Sequence, residues 1–301
     1  MQDAFWIMFT GAVAASSCGL VGCFLVLRRQ AMLGDAISHG ILPGIVAAFL
    51  VTGSRNIGWM LLAAGTMGLI TAFLAEMLTR HGRIQSDAAM GVTFTWLFAL
   101  GVILVTRYAD AVDLDVECIL YGEILFTPFN RFEWNGVDLG PRAAWTIGAT
   151  LAANLAFIVM GYSKLKICSF DPALAASLGF RVGLWHYLLM AFTSLTTVAC
   201  FESVGAILVV AMLVVPANTA YVLVDRLGLM LAVSAGAGTA AAVLGYGLAS
   251  WLDASIAGAM TTVAGALFLA AALFSPKHGA WKRLFRNHAV SSPSGTPEQA
   301  G

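Results

Sequence analysis

The sequence predicts an all-α fold, a polytopic bundle of membrane-spanning helices, on three observations. Sixteen Lys and Arg with sixteen Asp and Glu make charged residues only 11% of 301, where a soluble chain has about 25%. Residues of the AVILMFWYC set make up 59%, and mean hydropathy is +0.85. A soluble domain of this length cannot hide so much apolar surface. The apolar residues also fall in continuous runs of about the 20 residues that a crossing helix needs, not in the alternating segments of an outer-membrane barrel. Zero net charge without a basic tract excludes a nucleic-acid binder, and five cysteines in so long a chain exclude a disulfide scaffold.

Windows bounded by charge or turn residues fall at 5–27, 31–53, 57–79, 88–106, 143–163, 184–201, 203–224, 228–250 and 254–274. Within such runs only helices satisfy their own backbone groups. No polar loop separates the windows that meet at 201–203, so the expectation is about nine crossings, with eight as the alternative. The first window is too long for a cleaved signal peptide and lacks its basic leader. GAGTAA at 236–241 lies inside an apolar run, where Gly236 and Ala240 read as small residues for helix packing.

Basic residues set the orientation. Arg28, Arg29, Arg80, Arg83, Lys164, Lys166, Arg226, Lys277, Lys282, Arg283 and Arg286 all follow odd-numbered windows. The N-terminus is therefore expected outside and the C-terminus in the cytoplasm. Residues 1–280 form the membrane domain, and 281–301, polar and rich in Ser and Pro at the end, form a disordered cytoplasmic tail.

Ionisable groups inside crossings are expensive and therefore candidates for function. Glu76 stands one turn before Arg80, and that pair can snorkel to the interface. His186, between Trp185 and Tyr187, reads as part of an interfacial aromatic belt. Asp35 and His39, in GDAISHGILPG, are spaced i,i+4 and share one helix face. A carboxylate with an imidazole is a ligand set for manganese, iron or zinc; the alternative is a pair that only bonds helix to helix. Pro43 has no N–H for the carbonyl of His39, and Gly34, Gly40 and Gly44 permit close approach of a neighbouring helix. Glu202, in ACFESVGAILVV, is either an acidic hairpin residue or a carboxylate at the outer mouth of the same pathway.

Outside, after the fourth window, Asp110, Asp113, Asp115 and Glu117 form either a solvated acidic loop or a vestibule that concentrates cations. CILYGEIL beside them suits a short amphipathic surface helix. On the cytoplasmic side Asp171 can cap a short helix, with Pro172 at its first position and Gly179 ending it. The chain has no GxxxxGK[ST], HExxH, GxSxG or CxxC, so it has no P-loop of its own for nucleotide hydrolysis.

LRRQAMLGDAISHGILPGI at 27–45, GVTFTWLFALGVIL at 91–104, FESVGAILVVAMLVVPANTAYVL at 201–223, and the stretch from Tyr246 through FSPKHG at 274–279 resemble the membrane permease of bacterial zinc/manganese/iron ABC importers. VDLDVECILYGEIL is closer to the manganese-type branch, and TPFNRFEWNGVDLGP at 127–141 carries no match. The resemblance implies a bacterial cytoplasmic (inner) membrane protein, paired with a second permease copy or a paralogous permease. Two cytoplasmic ATP-binding subunits would power it, and an extracytoplasmic metal-binding lipoprotein would feed it. It strengthens Asp35 and His39, and to a lesser degree Glu202, as metal ligands, and implies that the 170–179 helix couples to the ATPase through Asp171, Pro172, Ala175, Leu178 and Gly179. No cofactor and no catalysis are expected: manganese or zinc is cargo. The rival readings are a proton-coupled secondary transporter using Asp35, His39 and Glu202, and an intramembrane metalloenzyme.

Overall fold

The computed structural model describes residues 2–53, 57–108, 124–129, 131–134 and 137–275. The first half contains α1 (Gln2–Leu27), α2 (Leu33–Gly40), α3 (Leu42–Thr52), α4 (Ile57–His81) and α5 (Ser86–Tyr108). A 3-10 turn (Ile124–Phe129) and a hairpin of β1 (Arg131–Trp134) and β2 (Val137–Pro141) follow. Then come α6 (Arg142–Phe170), α7 (Pro172–Ser177), α8 (Val182–Val204), α9 (Ala206–Leu223), α10 (Leu227–Leu252) and α11 (Ile256–Phe274). Among the described residues nine segments are long and apolar enough to cross a membrane, α2 and α3 together forming one of them. Trp59, Trp96, Ile103, Met160, Trp251 and Leu269 are exposed on the outside of the bundle, a surface suited to lipid and not to water.

Gly205 divides the two apolar windows that meet at 201–203 into two separate helices. It alone separates α8 from α9, with φ 80° and ψ 163°, a region open only to glycine. The chain therefore reverses without a polar loop.

α1 is the hub of one group, packed on α6, α8, α9 and α10, with α11 closing against α9 and α10. In its buried middle Asn154 of α6 donates to Ser17 Oγ at 2.9 Å and Thr196 Oγ1 at 2.8 Å, tying α6 to α1 and α8. Such interhelical bonds supply in lipid part of the cohesion that water-driven burial supplies elsewhere. Against α1, α10 presents Ser234 and Gly238, the latter with room for a Cβ only 2.9 Å from that of Ala15. Gly236 faces open space, so the packing face lies two residues from the expected one, on the Ser234–Gly238–Gly245 stripe.

The second group is α2–α5, joined to the first through α4 on α8 and through α2 on α8 and α9. The antiparallel hairpin, which the sequence left unread, pairs Glu133 with Asp138 and Trp134 with Val137. It packs at the start of α1, where a Cβ at Gly140 would come within 2.6 Å of Trp6.

Candidate functional site

The helix break expected at Pro43 is present and sets the site. α2 ends at Gly40, and after Ile41 the helix restarts as α3 with Pro43 in its first turn. Two glycines let α4 in against this break: a Cβ at Gly40 would strike Thr71, and one at Gly44 would strike Met67 and come 2.8 Å from the Ala63 carbonyl. Gly101 of α5 lies as close on another side, where a Cβ would sit 2.9 Å from Leu42 and 3.0 Å from Pro43. Ile37 is level with Gly68 of α4 and Ser194 of α8, residues near the middle of their helices. α2 thus lies at mid-depth in the bundle.

Asp35 and His39 lie on one face of α2, with His39 Nε2 3.4 Å from Asp35 Oδ1. Two ligands about 2.1 Å from one ion, at a tetrahedral angle, stand about 3.4 Å apart. The pair therefore needs little adjustment to hold a transition metal between them. The imidazole is flanked by Phe94 and Phe98 of α5, each ring centroid 5.7 Å away. These aromatics restrict the ring; the sequence offered them only as part of the GVTFTWLFALGVIL motif, without a role. Side-chain exposure is 27% for Asp35 and 31% for His39, so the pair is accessible. Among the described residues no group of three or more His, Cys, Asp or Glu side chains converges.

A second polar cluster lies toward the end of the bundle that carries Arg28, Arg80 and Lys164. Glu76 and His186 are each eight residues from the Gly68–Ser194 level, or about 12 Å along their helices. Arg80 pairs with Glu76 at 2.5 Å, as the sequence spacing predicts. The snorkelling expected of the pair is carried by Arg80, whose side chain is 66% exposed, whereas the Glu76 side chain is only 10% exposed and meets His186 Nε2 at 2.8 Å. His186 is 12% exposed, a buried partner of a charge and not simply a member of an aromatic belt. On its other side Arg28 Nη1 lies 3.2 Å from His186 Nδ1, and Arg28 Nε donates to Ser169 Oγ at 3.0 Å. Arg28, read from sequence as a loop charge, thus joins α1 to α6 and α8. Between this cluster and the start of α2 is a cavity of about 170 Å³, lined by Leu33, Gln30, Ala72, Glu76, His186 and Met190 among others.

Comparison with known proteins decides the family. The ABC 3 transport family pattern matches residues 1–275. The chain belongs to the ABC 3 transport family. It is 52% identical to the manganese transport system membrane protein MntD of Bacillus subtilis over 93% of this chain and 94% of that one. The zinc transport system membrane protein TroD of Treponema pallidum is 41% identical over 92% of this chain and 75% of its own length. Among solved structures, PsaBC from Streptococcus pneumoniae in complex with Fab superposes with a TM-score of 0.77 at 31% identity, covering 94% of this chain and 96% of that one.

As an ABC 3 permease the chain is a multi-pass inner-membrane protein, and its remaining candidates can be placed. The short helix expected near 170–179 is α7. Asp171 Oδ1 accepts from the Leu174 N–H at 2.9 Å, Pro172 is the first helical residue, and Gly179 follows with φ 81°. Ala175 is fully buried, whereas Leu174 and Leu178, one turn apart, are about half exposed. The outward apolar edge of α7 is therefore Leu174 and Leu178, with Ala175 turned into the protein. Glu202 lies in the last turn of α8, and its side chain is outside what the structure describes. Asp110, Asp113, Asp115 and Glu117, residues 118–123 of CILYGEIL and the 281–301 tail also lie outside the described residues.

Proposed function

We propose that this permease carries a divalent transition metal, manganese or zinc, inward across the cytoplasmic membrane, with Asp35 and His39 as ligands on the way. The observation that carries the reading is the 3.4 Å carboxylate–imidazole pair at mid-depth beside a helix break. Relatives named for manganese and zinc transport support the cargo. So does the chemistry: oxygen and nitrogen donors suit these ions, and selectivity between them rests on geometry and availability. Two ligands on one helix bind loosely enough to release an ion, which a pathway requires.

An ionisable pair about a third exposed at this depth does not face lipid. A second permease, identical or paralogous, covers it and encloses the pathway. By the basic-residue bias the Arg28–Arg80 end is cytoplasmic, which puts α7 within reach of an ATP-binding subunit. Leu174 and Leu178 supply the apolar contact there, and the Asp171 cap holds the helix in register. The extracytoplasmic metal-binding lipoprotein delivers the ion at the opposite face, where Asp110, Asp113, Asp115, Glu117 and Glu202 attract it. ATP binding shifts the permease pair between outward-facing and inward-facing states.

The test is ATP-driven Mn²⁺ uptake by proteoliposomes holding the permease, its ATPase and its binding protein. Asp35→Ala and His39→Ala abolish uptake with the complex intact; unchanged uptake in both removes the ligand assignment. Uptake that persists without the ATPase and collapses with an uncoupler would instead mark a proton-coupled carrier.

A further inference from the structure

The hydrogen-bond chemistry of the buried cluster at the basic end fixes its direction. A guanidinium has only donors, so where Arg28 Nη1 meets His186 Nδ1 at 3.2 Å the ring nitrogen must accept. In the neutral ring the proton is then on Nε2, which stands 2.8 Å from Glu76 Oε2 as a close polar contact without hydrogen-bond geometry. Glu76 is thus faced from α8 by His186 and paired on its own helix with Arg80. Arg28 in turn is anchored to Ser169, two residues before the Asp171 that caps α7. One chain of contacts runs from the root of α7 through α6, α1 and α8 to α4. Its inner edge, Glu76 and His186, lines the cavity that reaches Leu33, the first residue of the helix bearing Asp35 and His39.

The cluster carries two guanidinium charges and one carboxylate, with Arg80 at its solvent-exposed edge and Arg28 part-buried, so it opposes the passage of a cation while it holds together. The part-buried Arg28 charge is screened less than the exposed Arg80 charge and contributes most of that opposition. We infer that Arg28, Glu76, Arg80 and His186 form the inner gate of the ion pathway, and that the Ser169–Arg28 contact ties its opening to movement of α7. The gate rests on the import reading above. A carboxylate bonded only to the arginine one turn away would brace α4 alone; here it also locks α4 to α8, the contact that joins the two helix groups of the fold.

The experiment uses proteoliposomes of the complete transporter and reads two quantities per assembled complex: Mn²⁺ entry without ATP, and ions moved per ATP hydrolysed. Glu76→Gln and His186→Phe raise ATP-independent entry on the order of tenfold and lower the ion-to-ATP ratio, because breaking a buried pair leaves its partners unheld. His186→Gln keeps an acceptor for Arg28 and a donor for Glu76, and stays near wild type. Exchanging the α4 pair, Glu76→Arg with Arg80→Glu, restores an ion pair along one helix but faces His186 with a guanidinium, and still leaks. Wild-type leak and ratio in Glu76→Gln and His186→Phe overturn the gate, as does full rescue by the exchange. Absence of ATP-driven Mn²⁺ uptake by the unaltered complex would be a failure of the import reading instead.

Discussion

Among the described residues two carboxylate–imidazole pairs lie in this bundle, and they differ in almost every respect that matters for an ion. Asp35 and His39 come from one short helix, stand 3.4 Å apart and are about a third exposed. Glu76 and His186 come from α4 and α8, stand 2.8 Å apart and are about one-tenth exposed. The first pair has aromatic rings around its imidazole and is open to a cation. The second has an arginine on each side, Arg80 largely exposed and Arg28 part-buried. In the function proposed above, the same two side-chain types serve as a ligand pair in one place and as a brace in the other, and the neighbouring charges decide which.

The largest expected effect comes from breaking the first pair. Asp35→Ala lowers ATP-driven Mn²⁺ uptake by about 100-fold or more, the scale on which even groups around a metal site act, and a direct uptake assay measures it. Glu76→Gln leaves substantial uptake while raising leak, so measuring both quantities in the two variants separates ligand from brace. A smaller effect belongs to the aromatics. Phe94→Ala with Phe98→Ala frees the His39 ring and raises the Mn²⁺ concentration for half-maximal uptake several-fold, on the scale of supporting contacts around a metal ligand. The smallest belongs to the α7 cap. Asp171→Ala costs about 1 kcal/mol of local helix stability, and should lower ATPase stimulation by the permease with little change in Mn²⁺ binding. Equal losses of binding and stimulation would contradict that placement.

The first pair was legible in the sequence because an i,i+4 spacing is a statement about one helix, and Pro43 marks where that helix breaks. The Asp171 cap and Pro172 were legible for the same reason: every partner is within three residues. The crossings were legible because length and apolarity alone define them, although the sharp reversal at Gly205 hid the boundary between two. The Glu76–Arg80 pair was legible, but the contact of Glu76 with His186 was not, because it joins residues 110 positions apart and no local spacing reports which helices become neighbours. Arg80, one turn away, offered a sufficient local partner and concealed the distant one. Ala175 was named among the residues of the ATPase contact, yet it is buried against the protein, and local pattern does not tell which side of so short a helix meets the protein. The hairpin at 131–141 lacks the alternation of a long strand and stayed unread.

Mn²⁺ binding to the purified permease–ATPase complex in lipid nanodiscs, compared between Asp35→Ala/His39→Ala and Glu76→Gln, tests the central assignment most directly. The account predicts that binding is lost in the first and kept in the second. Binding kept in Asp35→Ala/His39→Ala and lost in Glu76→Gln would contradict it.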